Sequence, residues 1–177
     1  GVPLISSRRD LGFSQTALRK LVYTFVNPRV DAFIAPSDAV KRAVCEREGV
    51  PPERVHVIYN GPDLARFEQS HDRREAREWL GVPVDAPLAG MVSGFRPIKD
   101  HPTLLRAMRQ VADRLPAAHL ALIGEGTEEQ ALRALTAELG LDANLTFTGP
   151  RKEIPRALSA LDVFVLSSHS EGISNAI

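Results

Sequence analysis

The chain has 177 residues, 44% of them hydrophobic and 25% charged, with 22 Lys+Arg set against 22 Asp+Glu. That length holds one good core or pieces of two, and a formal net charge of +0 leaves no electrostatic footprint for nucleic acid as the default partner. No apolar stretch reaches the roughly 20 residues that span a bilayer, and the lone Cys45 excludes an internal disulfide and any cysteine-built zinc site.

The opening GVPLISSRRD lacks the layout of a signal peptide and reads like the middle of a fold. Its apolar run, Val2–Ser6, predicts a first strand, and Asp31–Ala35 a second. Ser37 then stands where an N-cap belongs, before DAVKRAVCEREG, and Gly49 supplies the stop. Cys45 lies inside that helix as a small apolar group, compatible with a reducing, cytoplasmic compartment. A third strand follows at Val55–Tyr59. Next comes NGPDLARF, the charged EQSHDRREAREWLGV and PVDAP, a turn-rich connection with a short helix whose Trp79 and Leu80 pack against a body.

Beyond it, strands are predicted at Leu88–Gly94, Leu120–Gly124, Leu145–Gly149 and Val163–Ser167. The helix TLLRAMRQVADRLP puts Leu104, Leu105, Met108, Val111, Ala112 and Leu115 on one face, and Pro116 ends it. Thr127 is the expected N-cap of EEQALRALTAELG, with Gly140 at its far end, and KEIPRALSALD is a shorter helix with Pro155 in its first turn. Strand–helix alternation of this kind makes the class α/β with parallel sheets. The expected division is 1–59, 60–86 as an interdomain connection, and 87–177, with neither flanking part long enough for a full doubly wound domain.

In open parallel sheets, ligands bind beyond the carboxyl ends of the strands. In the second half those loops are SGFRPIKDH, GEGTEE, TGPRKE and SSHSEGISN. They carry glycines that permit close backbone approach, and Arg96, Lys99, Arg151 and Lys152, which suit phosphate oxygens. Taken singly, each has a plainer account: a solvated lysine, a surface Arg–Lys pair, Glu125 complementing a helix dipole, Glu171–Gly172 as a turn. Their gathering on one rim favours a site for a phosphorylated ligand such as a nucleotide. The sequence has no G-x-G-x-x-G opening its first unit, no P-loop and no nucleophile elbow. Its histidines, His56, His71, His101, His119 and His169, show no metal-ligand spacing.

In order, VIYNGPDLARF, VSGFRPIKDHPTLLRAM, LALIGEGTEEQALRALTAELGL, LTFTG and DVFVLSSHSEGISNAI resemble the retaining GT-B glycosyltransferases of family 4, the glycosyl transferases group 1 type. The resemblance covers essentially the whole chain. It runs from the late acceptor-side Rossmann-like domain into the donor-side one, as if both were incomplete. It implies a nucleotide-sugar donor, UDP- or GDP-linked, as substrate, with no cofactor and no divalent metal. The implied acceptor is a glycan, a lipid-linked molecule or a small molecule. Lys99 matches the lysine on the donor diphosphate, and Glu171 the first acid of the E-x7-E signature, near the sugar hydroxyls. The second acid would fall at position 179. Gly172, Ile173 and Ser174 match the turn that faces the diphosphate, and Gly149, Arg151 and Lys152 a loop beside the base. Where the family often carries an arginine, this chain has Gly94, and the nearest guanidinium is Arg96. Retention in this family is credited to same-face attack, so no catalytic base is assigned.

Two other readings stay open at this point: a nucleotide-sugar-binding module without transfer, and a nucleotide-sugar epimerase. The basic residues Arg8, Arg9, Arg19, Lys20, Lys41 and Arg42 read first as ordinary surface charge. Their second reading is a peripheral contact with the inner face of a membrane or with a lipid-phosphate acceptor.

Overall fold

The computed structural model describes residues 1–9, 16–61 and 64–171. The chain forms two compact units, Gly1–Pro62 and Asp63–His169, and Ser170 and Glu171 group with the first. Both units are α/β with parallel sheets, as the alternation of elements predicts.

In the first unit, β1 (Ile5–Ser7), β2 (Ala32–Ala35) and β3 (Val55–Val57) lie in that order, every pairing parallel. Parallel neighbours need a crossover, and α1 (Ala17–Val26) and α2 (Asp38–Glu48) supply it. The sequence reading names no helix over 17–26, because LVYTFV is rich in residues that favour strands. For α2 both ends are as expected: the Ser37 hydroxyl accepts the Val40 N–H at 3.3 Å, and Gly49 is left-handed at φ 67°. Phe33 is wrapped by Val30, Val40, Val44, Val50 and Val55, with Cys45 half-buried at the margin.

Arg8 is neither surface charge nor a membrane-facing cation. Its Nε donates to both Glu48 carboxylate oxygens at 3.1 and 3.0 Å, and its other nitrogens reach Ser6 Oγ and Asn27 Oδ1. The guanidinium stands 4.4 Å from the centre of the Tyr23 ring.

The second unit contains α3 (Arg73–Leu80), β4 (Leu88–Val92), α4 (His101–Arg114), β5 (His119–Ile123), α5 (Glu129–Glu138), β6 (Leu145–Gly149), α6 (Ile154–Ser159) and β7 (Val163–Phe164). The strand order is β6-β5-β4-β7. Side chains alternate across a strand, so β5 feeds two cores. Leu120 and Leu122 pack with Leu104, Leu105 and Met108 of α4, while Ala121 and Ile123 pack with Ala76 and Leu80 of α3 and Ala157 of α6.

Several boundaries shift from the sequence reading. Strand β7 stops at Phe164 rather than Ser167, at the sheet's edge. Glu128, not Thr127, precedes α5, and no side chain caps it. Val111 and Leu115, expected on the buried face of α4, are exposed. Within the stretch 60–86, α3 is built into the second unit. Asp72 caps it by accepting the Glu75 N–H at 2.9 Å, and Leu80 is buried.

Arg77, only 4% exposed, fastens that helix. Its Nε donates to Ala160 O at 2.9 Å, one terminal nitrogen to Val84 O and Ala86 O, and the other to Asp162 Oδ2 at 2.8 Å. Asp162 also accepts from Arg73 and from the Leu88 N–H that starts β4. Burial, then the like charge of Arg73, lower the Arg77 pKa, against Asp85.

Candidate functional site

With the order β6-β5-β4-β7, successive strands step one way from β4 and then return to its other side. A sheet wound in both directions opens a crevice beyond its carboxyl ends at that switch point. The loops that meet there are bound to one another. Phe95 N donates to Glu125 O at 2.9 Å, and Glu128 N to Phe95 O at 3.1 Å, joining the loops after β4 and β5. Gly124 N donates to Gly149 O at 3.1 Å, joining β5 to β6. Ser167 Oγ donates to Lys99 O at 2.9 Å and His169 N to Ile98 O at 3.0 Å, joining β7 to β4.

Composition explains why the loops can come so close. A Cβ at Gly126 would collide with the backbone of Phe95, so only glycine fits there. The Phe95 ring is fully buried, edge-on to His101 at 5.0 Å and to Phe147 at 6.0 Å between centroids. It anchors the loop from beneath.

Lys99 closes a 3-10 turn over Pro97–Lys99 and is half-buried. Asp100 follows in a left-handed conformation, φ 47°, which Asp tolerates better than most residues. Its carboxylate accepts the Thr103 N–H at 3.4 Å and starts α4. Hydrogen bonding from Thr103, with His169 and Arg106 adding attraction, lowers the Asp100 pKa despite its desolvation. His169 Nε2 stands 3.4 Å from the Asp100 carboxylate.

His101, absent from the expected site, is 1% exposed, and its Nε2 lies 2.9 Å from Ser93 Oγ. Burial first, then the Lys99 charge, lower its pKa against the pull of Asp100, so the ring is neutral near pH 7. His101 lies eight positions after Ser93, a spacing with no motif to announce it.

Between the loops lies a hollow of about 300 Å³, lined in part by Ser93, Gly94, Gly124, Glu125, Pro150 and Arg151. Arg96 is exposed and folds back across Gly94. Its Nε and a terminal nitrogen lie 3.5 and 3.8 Å from where a Cβ at position 94 would stand. Gly149 turns the chain out of β6 at φ 71°. Arg151 is half-buried over Trp79, 5.0 Å from the ring centroid, and its Nε is buried without a partner. Lys152 is exposed. The rim of the second unit thus brings together Arg96, Lys99, Gly149, Arg151 and Lys152. Glu171 is half-buried and groups with the first unit. Gly172, Ile173 and Ser174 lie outside the described residues.

This arrangement offers cationic side chains and close-set backbone to a polyanion, the elements that stabilise charge on phosphate. Among the described residues, no group of three His, Cys, Asp or Glu is placed to hold a metal ion. No helix there is long and apolar enough to cross a membrane.

A family model described as "Glycosyl transferases group 1" matches residues 72–177, and one described as "Glycosyltransferase Family 4" matches residues 1–66. The D-inositol 3-phosphate glycosyltransferase of Mycobacterium tuberculosis is 32% identical over 148 residues, 80% of this chain and 30% of that protein. Anabaena HepE, solved in complex with UDP and glucose, superposes with a TM-score of 0.81 at 30% identity, over 94% of this chain and 46% of its own. A glycosyltransferase from Rickettsia africae shares the fold at 18% identity and a TM-score of 0.74, over 93% of this chain and 45% of its own. The chain therefore spans about a third to a half of the length of the proteins it matches.

Proposed function

Because the chain belongs to the glycosyl transferases group 1 family, we propose that it is part of an enzyme that moves a sugar from a nucleotide-sugar to an acceptor, with the second unit holding the donor. Its α/β fold, with parallel sheets, matches GT-B neighbours. A UDP- or GDP-sugar is the donor, by analogy with the UDP bound to HepE. The acceptor is a glycan, a lipid-linked molecule or a small molecule, met by the first unit's side of the enzyme. Transfer proceeds with retention and without divalent metal or cofactor.

The observation that carries this reading is the cross-bonded rim at the switch point, in which Arg96 lies over Gly94 and Ser167 Oγ ties down the turn that carries Lys99. Departure of a nucleoside diphosphate gathers negative charge on its phosphates, and preorganised cations stabilise it without reorganising. Lys99 takes the diphosphate. Arg96 takes the place of the arginine expected at position 94, since the missing side chain leaves room for its guanidinium. Gly149, Arg151 and Lys152 bound the nucleoside end. Glu171 addresses the sugar hydroxyls, and Gly172, Ile173 and Ser174 are assigned to the diphosphate by the family resemblance alone.

Calorimetry with UDP, GDP and ADP tests this. We expect one nucleotide to bind, Lys99→Ala to weaken it about tenfold or more, and Arg96→Ala to weaken it about fivefold. Wild-type affinity in Lys99→Ala, or no binding of any nucleotide, would overturn the donor site.

A further inference from the structure

Trp79 belongs to α3, outside every loop of the rim, yet it is tied to the rim through Arg151. The Arg151 guanidinium lies 5.0 Å from the Trp79 ring centroid and that of Arg156 lies 4.8 Å from it. The two arginines differ in what else they hold. Arg156 pairs with Glu153 at 3.6 Å, whereas Arg151 Nε is buried without a hydrogen-bond partner, and Arg151 lines the hollow. A buried donor without a partner is costly, so the fold must hold the Arg151 side chain in place by other contacts. The indole face attracts the guanidinium and restricts it to one plane.

Position says which part of a ligand Arg151 would meet. Lys99 and Arg96 follow β4, while Arg151 follows β6, two strands away in the order β6-β5-β4. Two strand spacings are roughly 10 Å, about the distance from a diphosphate to the base of the same nucleotide. We propose that Trp79 is a positioning residue for the nucleoside subsite. It holds the Arg151 guanidinium flat, so that the terminal nitrogens, rather than the buried Nε, donate to an acceptor on the nucleoside while the diphosphate rests with Lys99 and Arg96. This rests on the donor-site reading above and names the residue that sets its nucleoside end.

Calorimetric titration of the chain with UDP and, separately, with inorganic pyrophosphate tests it. Trp79→Leu keeps an apolar side chain but has no ring. It should weaken UDP about fivefold and leave pyrophosphate within about twofold, while Trp79→Phe restores most of the loss. An equal loss for both ligands marks a merely structural role and overturns the proposal. So does wild-type UDP affinity in Trp79→Leu. If Trp79→Leu does not fold, Arg151→Gln decides: a selective loss of UDP supports the proposal, and unchanged UDP affinity sinks it. A wild-type chain that binds none of UDP, GDP and ADP overturns the donor site itself. Binding that is indifferent to Trp79 overturns this inference alone.

Discussion

The same sequence pattern meets two fates in this molecule. In α4, Leu104, Leu105, Met108 and Ala112 recur at helical spacing and are buried against β5. In α1, Leu18, Leu21, Val22 and Phe25 recur at i, i+3, i+4 and i+7, and all are exposed, Phe25 by 63%. The sheets differ likewise: β5 is buried at every position, whereas β1 is half-buried only at Ser6. Periodicity tells which residues share a face. Whether that face is covered depends on what stands opposite. The second unit has helices on both faces of its sheet, so its rim rests on a closed core; the first unit's cohesion leans more on the Phe33 cluster and the Arg8 network.

The largest effect that sharpens this contrast should come from Arg77. It satisfies three backbone carbonyls and one carboxylate, and it joins α3 to the segments flanking β4 and β7. Arg77→Ala leaves those acceptors without their donor, and should cost the second unit about 4 kcal/mol in urea denaturation. Arg8→Ala takes the guanidinium from a Glu48 side chain that is 4% exposed, leaving it the Asn27 amide, and should cost the first unit about 3 kcal/mol. Loss of the first unit's signal in Arg77→Ala, with the second unit's intact, would reverse the assignment.

Next in size is the direct comparison of leucines. Leu122→Ala removes a fully buried side chain from the centre of β5 and should cost about 3 kcal/mol. Leu21→Ala, on the exposed face of α1, should change stability by no more than about 0.5 kcal/mol. Equal costs would mean that the α1 face is covered in solution and that the contrast between the units is not one of burial.

Much of this was legible in the sequence because it is local. The strand runs, the Ser37 cap, the Gly49 stop and the rim loops all follow from short-range composition and periodicity. The basic residues of the rim were nameable for the same reason: strand-following loops of one parallel sheet share an edge. What escaped is long-range. Arg8 looked like surface charge until Glu48 and Asn27 closed on it. Trp79 read as a packing residue, and it does pack against the core beside Leu80, but the two guanidiniums its ring also meets come from a helix and a loop more than seventy residues away. Gly94 looked like a lost arginine, and only the fold of the loop shows Arg96 lying over it. The helix over 17–26 was hidden by its strand-favouring residues, and Gly172–Ser174 remain readable in the sequence alone.

The smallest effect separates the units by pH. The second unit buries two histidines, His101 beside Ser93 and His119 with Nε2 2.8 Å from Thr146 Oγ1. Burial lowers both pKa values; Lys99 assists at His101, and a hydrogen bond involving Ala143 opposes at His119. In the unfolded chain each takes up a proton near pH 6.5, whereas the folded unit resists it. Their contribution is therefore complete above about pH 6.5 and is lost as the pH falls through that value toward the folded pKa. Denaturation at pH 7.5 and 5.5 should show the second unit losing about 1 kcal/mol or more, since each proton is worth at most about 1.4 kcal/mol per pH unit. The doubly substituted His101→Gln, His119→Gln chain should lose that slope whatever its absolute stability. A slope that survives would assign the pH response to other groups, and would free the rim from dependence on the neutral imidazole beneath Ser93.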